Sequence, residues 1–212
     1  MNVTIIGAGS VGGALGTAWA AKGHAIVYGV RRPSDAKVAA LVAQAKGKAR
    51  AAELAASARE AEVVVLATPW TATEDAIRAA GGLAGKIVLD ATNPLALGPA
   101  GLGLAVGHST SGGETVQRWA PAAKVVKTLN TTGFGNMADT RYAGAKPVMF
   151  YCGDDPGAKR TAHTLVGDLG FDGIDAGPLA AARQLEPMAL LWINLANKQG
   201  LGRDIAFALL RR

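Results

Sequence analysis

The sequence predicts a doubly wound α/β fold with a mostly parallel sheet, and three observations carry that expectation. Apolar, β-branched segments alternate with alanine-rich helical segments from residue 3 to residue 174. Some of those strands, Glu62–Ala67 above all, are unbroken apolar runs, the pattern of strands buried on both faces. Between the first strand and the first helix stands Gly7-x-Gly9-x-x-Gly12, a turn that this layer architecture uses repeatedly. Half of the 212 residues are hydrophobic, enough to bury a full core. Residues 1–176 are expected to form the sheet domain and residues 177–212 a small C-terminal helical part.

Val3–Ile6 reads as the first strand, and the helix after the glycines ends at Gly23. Ala25–Val30 is the second strand, 33–46 a helix, Ala49–Ala51 a short strand and Glu53–Glu60 a helix. Glu62–Ala67 is followed by a helix over 71–80, then by strand Lys86–Asp90. A glycine-rich loop is expected over 98–113, with Glu114 placed in the first turn of the next helix by capping logic. Lys124–Thr128 and Pro147–Cys152 are strands, 156–169 a helix and Phe171–Ile174 the last strand. From Leu179 onward apolar residues recur at helical spacing, predicting two helices broken near Lys198–Gly200.

In this strand–turn–helix setting the glycine motif points to a dinucleotide pyrophosphate, and the fold becomes a Rossmann sheet. Gly7 allows the tight turn, Gly9 keeps a Cβ away from the phosphates, and Gly12 lets helix and strand pack closely. Ser10 and Val11 begin the helix whose free N–H groups face the anion. An NAD site usually ends the second strand in a carboxylate; here it runs into Arg31-Arg32-Pro33-Ser34. Guanidinium groups grip a 2′-phosphate that a carboxylate would repel, and Ser34 adds a hydroxyl, so the expected cofactor is NADP. A solvated basic turn is the plainer explanation of two adjacent arginines.

Thr68-Pro69-Trp70, Thr92-Asn93-Pro94 and Asn130-Thr131-Thr132 each follow a strand directly and are expected on the crevice edge where such sheets bind ligands. Asn93 is equally explained as a turn residue. The formal charge of +6 suits an anionic ligand, but the basic residues are scattered, which argues against nucleic acid. His24, His108 and His163 lack ligand spacing and Cys152 is the only cysteine, so no metal is expected and Cys152 reads as a buried apolar residue. No apolar run is long enough to span a bilayer, and a start directly in a core strand predicts a cytoplasmic protein.

These motifs occur together with Leu66-Ala67-Thr68-Pro69, Asp90–Pro94, Val125–Thr131 and Asp175–Glu186, and in that combination the chain resembles the NADPH:deazaflavin (coenzyme F420) oxidoreductase family. The oxidoreductase domain of the STEAP metalloreductases is related. The resemblance implies an often dimeric enzyme, a Rossmann domain with a small C-terminal helical part, in which NADPH passes hydride to a flavin-like small molecule. It places Gly7, Gly9, Ser10, Val11 and Gly12 at the pyrophosphate, Arg31 and Arg32 at the 2′-phosphate, Thr68 and Pro69 at the ribose and nicotinamide, and Asn130, Thr131 and Arg183 toward the acceptor. Asn130, Pro187 and Ala189 depart from the family's acceptor pocket, which leaves F420, FMN and FAD open.

No catalytic dyad stands out. Arg183 either meets an anionic acceptor or pairs with Glu186, Lys127 points to either sheet face, and Trp192 is expected in the core or at a dimer contact. Two other functions fit the same residues: reduction of a small carbonyl or imine, and an NADP-binding redox sensor without turnover.

Overall fold

A computed structural model describes residues 1–99 and 101–212. The chain runs β1 (Asn2–Ile6), α1 (Ser10–Ala21), β2 (Ala25–Val30), α2 (Ala36–Gln44), β3 (Ala49–Glu53), α3 (Leu54–Glu60), β4 (Val63–Leu66), α4 (Trp70–Ala79) and β5 (Ile87–Asp90). There follow β6 (Leu95–Gly98), β7 (Gly101–Leu104), α5 (Gly112–Trp119), β8 (Lys124–Thr128), α6 (Phe134–Ala138), β9 (Val148–Gly153), α7 (Pro156–Asp168), β10 (Asp172–Asp175) and α8 (Ala182–Ile193). A 3₁₀ turn at Leu179–Ala181 leads into α8, and a π turn at Asn194–Lys198 closes it.

Eight strands form one sheet in the order β10-β9-β8-β5-β4-β1-β2-β3. Neighbours from β3 to β8 are parallel, whereas β9 is antiparallel to β8 and β10 follows β9. The order reverses between β1 and β4, so their carboxyl ends flank the crevice in which such sheets hold ligands. Both faces are covered. Leu15 and Trp19 of α1 pack with Leu165 and Val166 of α7 on one side; Ile77 of α4 and Val116 of α5 pack with Val64 and Val88 on the other. The Trp19 indole donates to the Leu165 carbonyl at 2.9 Å, tying α1 to α7 where a buried N–H needs a partner.

Three expectations are corrected. The glycine-rich stretch contains a two-stranded antiparallel hairpin, β6–β7, with Leu95 opposite Leu104 and Leu97 opposite Leu102; the expected loop also includes Ala100, outside the described residues. Residues 134–138 form the short helix α6, which packs on α1. The C-terminal part holds one helix and its π turn, not two helices. Residues 199–212 have no regular structure, because Gly200 and Gly202 adopt positive φ and the tail then turns back. The Phe207 carbonyl accepts from the Val148 N–H, and the Ile205 carbonyl from the Trp192 indole and the Asn136 amide. No described helix is long and apolar enough to cross a membrane.

Candidate active site

The turn after β1 is shaped by what lies beneath it. Gly7 has φ +113°, and a Cβ there would sit 2.5 Å from the Ala67 carbonyl oxygen at the end of β4. A Cβ on Gly12 would run into the Gly7 carbonyl oxygen. The protein's own packing therefore requires those two glycines. Gly9 is different: a Cβ would meet nothing within 4 Å, and its φ of −83° and ψ of −167° suit any residue. The space above Gly9 is left for something the chain itself does not supply. Gly9 is also the N-cap of α1, and no side chain caps that end and no acid lies in its first turn. The N–H groups of Ser10, Val11 and Gly12 thus lack intrahelical partners, beside roughly half a positive charge from the helix dipole.

A cleft of about 510 Å³ extends from this turn across the carboxyl ends of β1 and β2. Gly7, Gly9, Arg31, Arg32, Lys37, Thr68 and Pro69 line it. Arg31, Arg32 and Lys37 are exposed, and among the described residues no carboxylate lies within ion-pair distance of any of them. Two carboxylates also border the cleft: Asp75, which accepts from Arg78 at 2.9 Å, and Asp35, which caps α2 and accepts from the Lys37 N–H at 3.0 Å. The Lys37 side chain, in the first turn of α2, also lines the cleft, a placement not evident in the sequence. Ser34 is exposed and does not line the cleft.

On the far side of Thr68 and Pro69 a second pocket of about 370 Å³ opens between the ends of β4 and β5. Val11, Trp70, Thr92, Asn93 and Leu95 wall it, and no titratable side chain does. Trp70 is held by Trp119, ring centres 5.0 Å apart. Thr73 donates its one hydroxyl proton to the Pro69 carbonyl at 3.1 Å. Thr68, 2.9 Å from the Thr73 oxygen, must then be the donor in that pair, which leaves the Thr68 oxygen as an acceptor.

Leu129 carries the chain out of β8 with φ +61°, a left-handed conformation that costs a bulky residue on the order of 1–3 kcal/mol. Beyond this kink Asn130 is buried. Its amide nitrogen donates to Asn93 Oδ1 at 3.2 Å and to the Leu185 carbonyl at 3.1 Å, while Asn93 returns a bond to the Asn130 carbonyl at 3.0 Å. Thr131 is buried too, its hydroxyl 3.6 Å from Met149 Sδ in the core. Arg183 does not pair with Glu186: it forks onto both carboxylate oxygens of Glu114 at 2.9 and 2.6 Å. Ser111 caps α5, its oxygen accepting from the Glu114 N–H at 3.1 Å, and its hydroxyl donates to Glu114 Oε2 at 2.8 Å, with Glu114 in the first turn as expected. The Arg183 hydrogen bonds hold the Glu114 carboxyl below its ordinary value.

Lys127, ambiguous in the sequence, is fully buried. Its ammonium donates to Asp90 Oδ2 at 3.0 Å and to the Thr92 carbonyl at 2.6 Å, and it is ion-paired with Glu186 Oε1 at 3.0 Å. Burial pulls its pKa down, but the Asp90 and Glu186 carboxylates outweigh that and raise it above the ordinary lysine value. A lysine inside the apolar strand Val125–Thr128 was the one sequence signal of this buried charge. Trp192 is buried as expected, stacked over Gly133, where a Cβ would lie 2.6 Å from its ring.

Free cations where the second strand ends, and a neutral pocket where the fourth ends, are what a phosphorylated nicotinamide dinucleotide asks of this sheet. The class is that of the NADP-dependent oxidoreductases. Comparison with known proteins narrows it. Residues 2–94 match the profile of the family described as NADP oxidoreductase, coenzyme F420-dependent. The solved structure of a protein from Arthrobacter sp. FB24, provisionally named an F420-dependent NADP reductase, is 35% identical with a TM-score of 0.91, covering 100% of both chains. The chain belongs to this F420-dependent NADP oxidoreductase family. It is similar to protein SMa0349 from Sinorhizobium meliloti, 28% identical over 100% of this chain and 96% of that one, with a TM-score of 0.75. Metalloreductase STEAP3 of Rattus norvegicus is 29% identical over 190 residues, 89% of this chain but 36% of the relative, so the chain spans about a third of that protein's length. A reductive aminase from Aspergillus terreus, solved with NADPH4, is 21% identical over 94% of this chain and 62% of that one, TM-score 0.68. At that identity the likeness is one of fold.

Proposed function

We propose that the protein transfers hydride between NADPH and a neutral, flat, flavin-like ring, with F420, FMN and FAD as the candidate acceptors. The observation that carries this reading is the second pocket: it adjoins the dinucleotide cleft through Thr68 and Pro69 and has no acid or base in its wall. Reduction of a carbonyl calls for a proton delivered to its oxygen. Lys127, the buried cation behind this wall, is not among the residues that line the pocket. A flavin-type ring delocalises the negative charge that the hydride brings, so a wall with no titratable group suffices. When bound, NADPH supplies the hydride, and the chain supplies orientation and dryness.

In this reading the α1 N–H groups and the open space over Gly9 hold the pyrophosphate, while Gly7 and Gly12 fix the turn beneath. Arg31, Arg32 and Lys37 neutralise the 2′-phosphate, with Ser34 at its outer margin. The Thr68 oxygen accepts from a ribose or carboxamide group, and Pro69 and Asn93 flank the nicotinamide. Asn130 acts from behind this wall, through Asn93.

The test is a turnover panel: protein and NADPH with F420, FMN, FAD, or a set of ketones and imines, followed at the nicotinamide absorbance band. Oxidation with a flavin-type acceptor is expected. Turnover confined to carbonyls or imines would replace the reading with small-molecule reduction, and tight binding without any turnover would replace it with a sensor.

A further inference from the structure

Three charges meet behind the pocket wall, buried from solvent. Asp90 ends β5, Lys127 lies in β8 and Glu186 belongs to α8; all are at most 1% exposed. Asp90 Oδ1 accepts from the N–H of Thr92 at 3.0 Å and from its hydroxyl at 2.6 Å, and Lys127 grips the Thr92 carbonyl. Glu186 in turn accepts from the Gly112 and Gly113 N–H groups at 2.8 and 2.9 Å, at the start of α5. A Cβ on Gly112 would come within 2.9 Å of that carboxylate, so the close approach depends on glycine. The residue before Glu186 contributes a second tie, since the Leu185 carbonyl accepts from Asn130, which holds Asn93. Asn130 makes this link with its own Oδ1 buried and unpartnered.

Two consecutive residues of α8 therefore fasten two consecutive residues of the pocket wall by independent routes. Buried ion clusters seldom add stability over apolar packing of the same volume, whereas an uncompensated orphan acceptor is a direct cost. Both features are better accounted for by the geometry they impose on Thr92 and Asn93.

We infer that Glu186 and Asn130 are positioning residues that make α8 a brace for the nicotinamide end of the bound cofactor. The inference rests on the reading that nicotinamide lies against Thr92 and Asn93. The brace does not reach the adenosine end, where Arg31, Arg32 and Lys37 are carried by the β2–α2 connection and α2.

The experiment compares two ligands by calorimetry: NADPH, and 2′,5′-ADP, which lacks the nicotinamide half. In the wild type NADPH should bind more tightly than 2′,5′-ADP. Glu186→Gln should weaken NADPH about tenfold, the effect of one misplaced charge-assisted contact, and leave 2′,5′-ADP unchanged. Asn130→Ala, which cuts the second tie and spares the ion cluster, should show the same selective loss and decides the matter if Glu186→Gln does not fold. A role confined to stability would lower Tm yet keep the ratio of the two affinities, and that result overturns the inference. Equal affinities of the wild type for the two ligands would instead remove the nicotinamide reading itself, and the brace with it.

Discussion

Two of the motif glycines, Gly9 and Gly12, should part ways when each is replaced by alanine. At Gly9 the new methyl meets no atom within 4 Å and the backbone is relaxed. Alanine there gains about 0.4–1 kcal/mol by restricting the unfolded chain, and gives back a comparable amount as a poorer N-cap than glycine. The net change should lie within about 1 kcal/mol of zero, or roughly 2–4 °C in Tm for a chain of this size. At Gly12 the methyl collides with the Gly7 carbonyl and comes within 3.1 Å of Ile5 Cγ2. Overpacking of that kind costs about 1–3 kcal/mol or more, a fall of roughly 2–12 °C. Ligand binding should reverse the ranking of severity. Gly9→Ala occupies the space reserved for the pyrophosphate and should weaken NADPH at least tenfold, about 1.4 kcal/mol. Thermal melts with and without NADPH read both quantities, since a ligand bound only by the native state raises Tm by an amount that grows with the logarithm of its affinity. A Gly9→Ala protein that keeps wild-type affinity for NADPH would show that no phosphate passes over this turn.

Other consequences are read more simply. Lys127→Met leaves Asp90 and Glu186 buried without their counter-charge and should cost about 3–5 kcal/mol, visible in denaturant melts; a loss under about 1 kcal/mol would mean the cluster is wetter than the structure shows. Because the folded pKa of Lys127 is raised, its contribution is whole below the ordinary lysine value of 10.5 and is lost as pH climbs through the higher folded value, so wild-type stability should fall more steeply there than that of Lys127→Met. Glu114 shifts the other way: its contribution is present above 4.5 and lost as pH falls through the lower folded value, so Arg183→Ala should flatten the acid limb of the stability curve. Burial pushes the Cys152 thiol up to about 12, so it should resist thiol reagents in the native protein at neutral pH and react fully in urea; rapid native labelling would contradict its place in the core.

Much of the fold could be read along the chain because its signals are local. Val63–Leu66 is apolar at every position and is buried at every position. The glycine motif placed the turn, and the capping pattern at Ser111 and Glu114 placed α5. The hairpin β6–β7 was hidden because its alternating leucines are diluted by glycines, which weakens the period of two. The tail misleads for the opposite reason: apolar residues at helical spacing suggest a helix, yet the tail's carbonyls find partners on β9, Trp192 and Asn136. At the site, residues placed by backbone turns were legible, and residues placed by long-range charge were not. Nothing near Glu186 in the chain announces that it will meet Lys127 and the start of α5, so Arg183 looked like its natural partner. Lys37 is not legible because it stands beyond the arginine pair, in the first turn of α2, where no local signal says which helix face meets the cleft.

The most direct measurement of the central claim is calorimetric titration of NADPH and NADH into the wild type and into a protein carrying Arg31→Ala and Arg32→Ala. The wild type should prefer NADPH, and the double variant should lose about 2–4 kcal/mol of binding to NADPH with little change for NADH. Equal losses for the two cofactors, or a wild type indifferent to the extra phosphate, would show that the cations at the end of β2 do not read it.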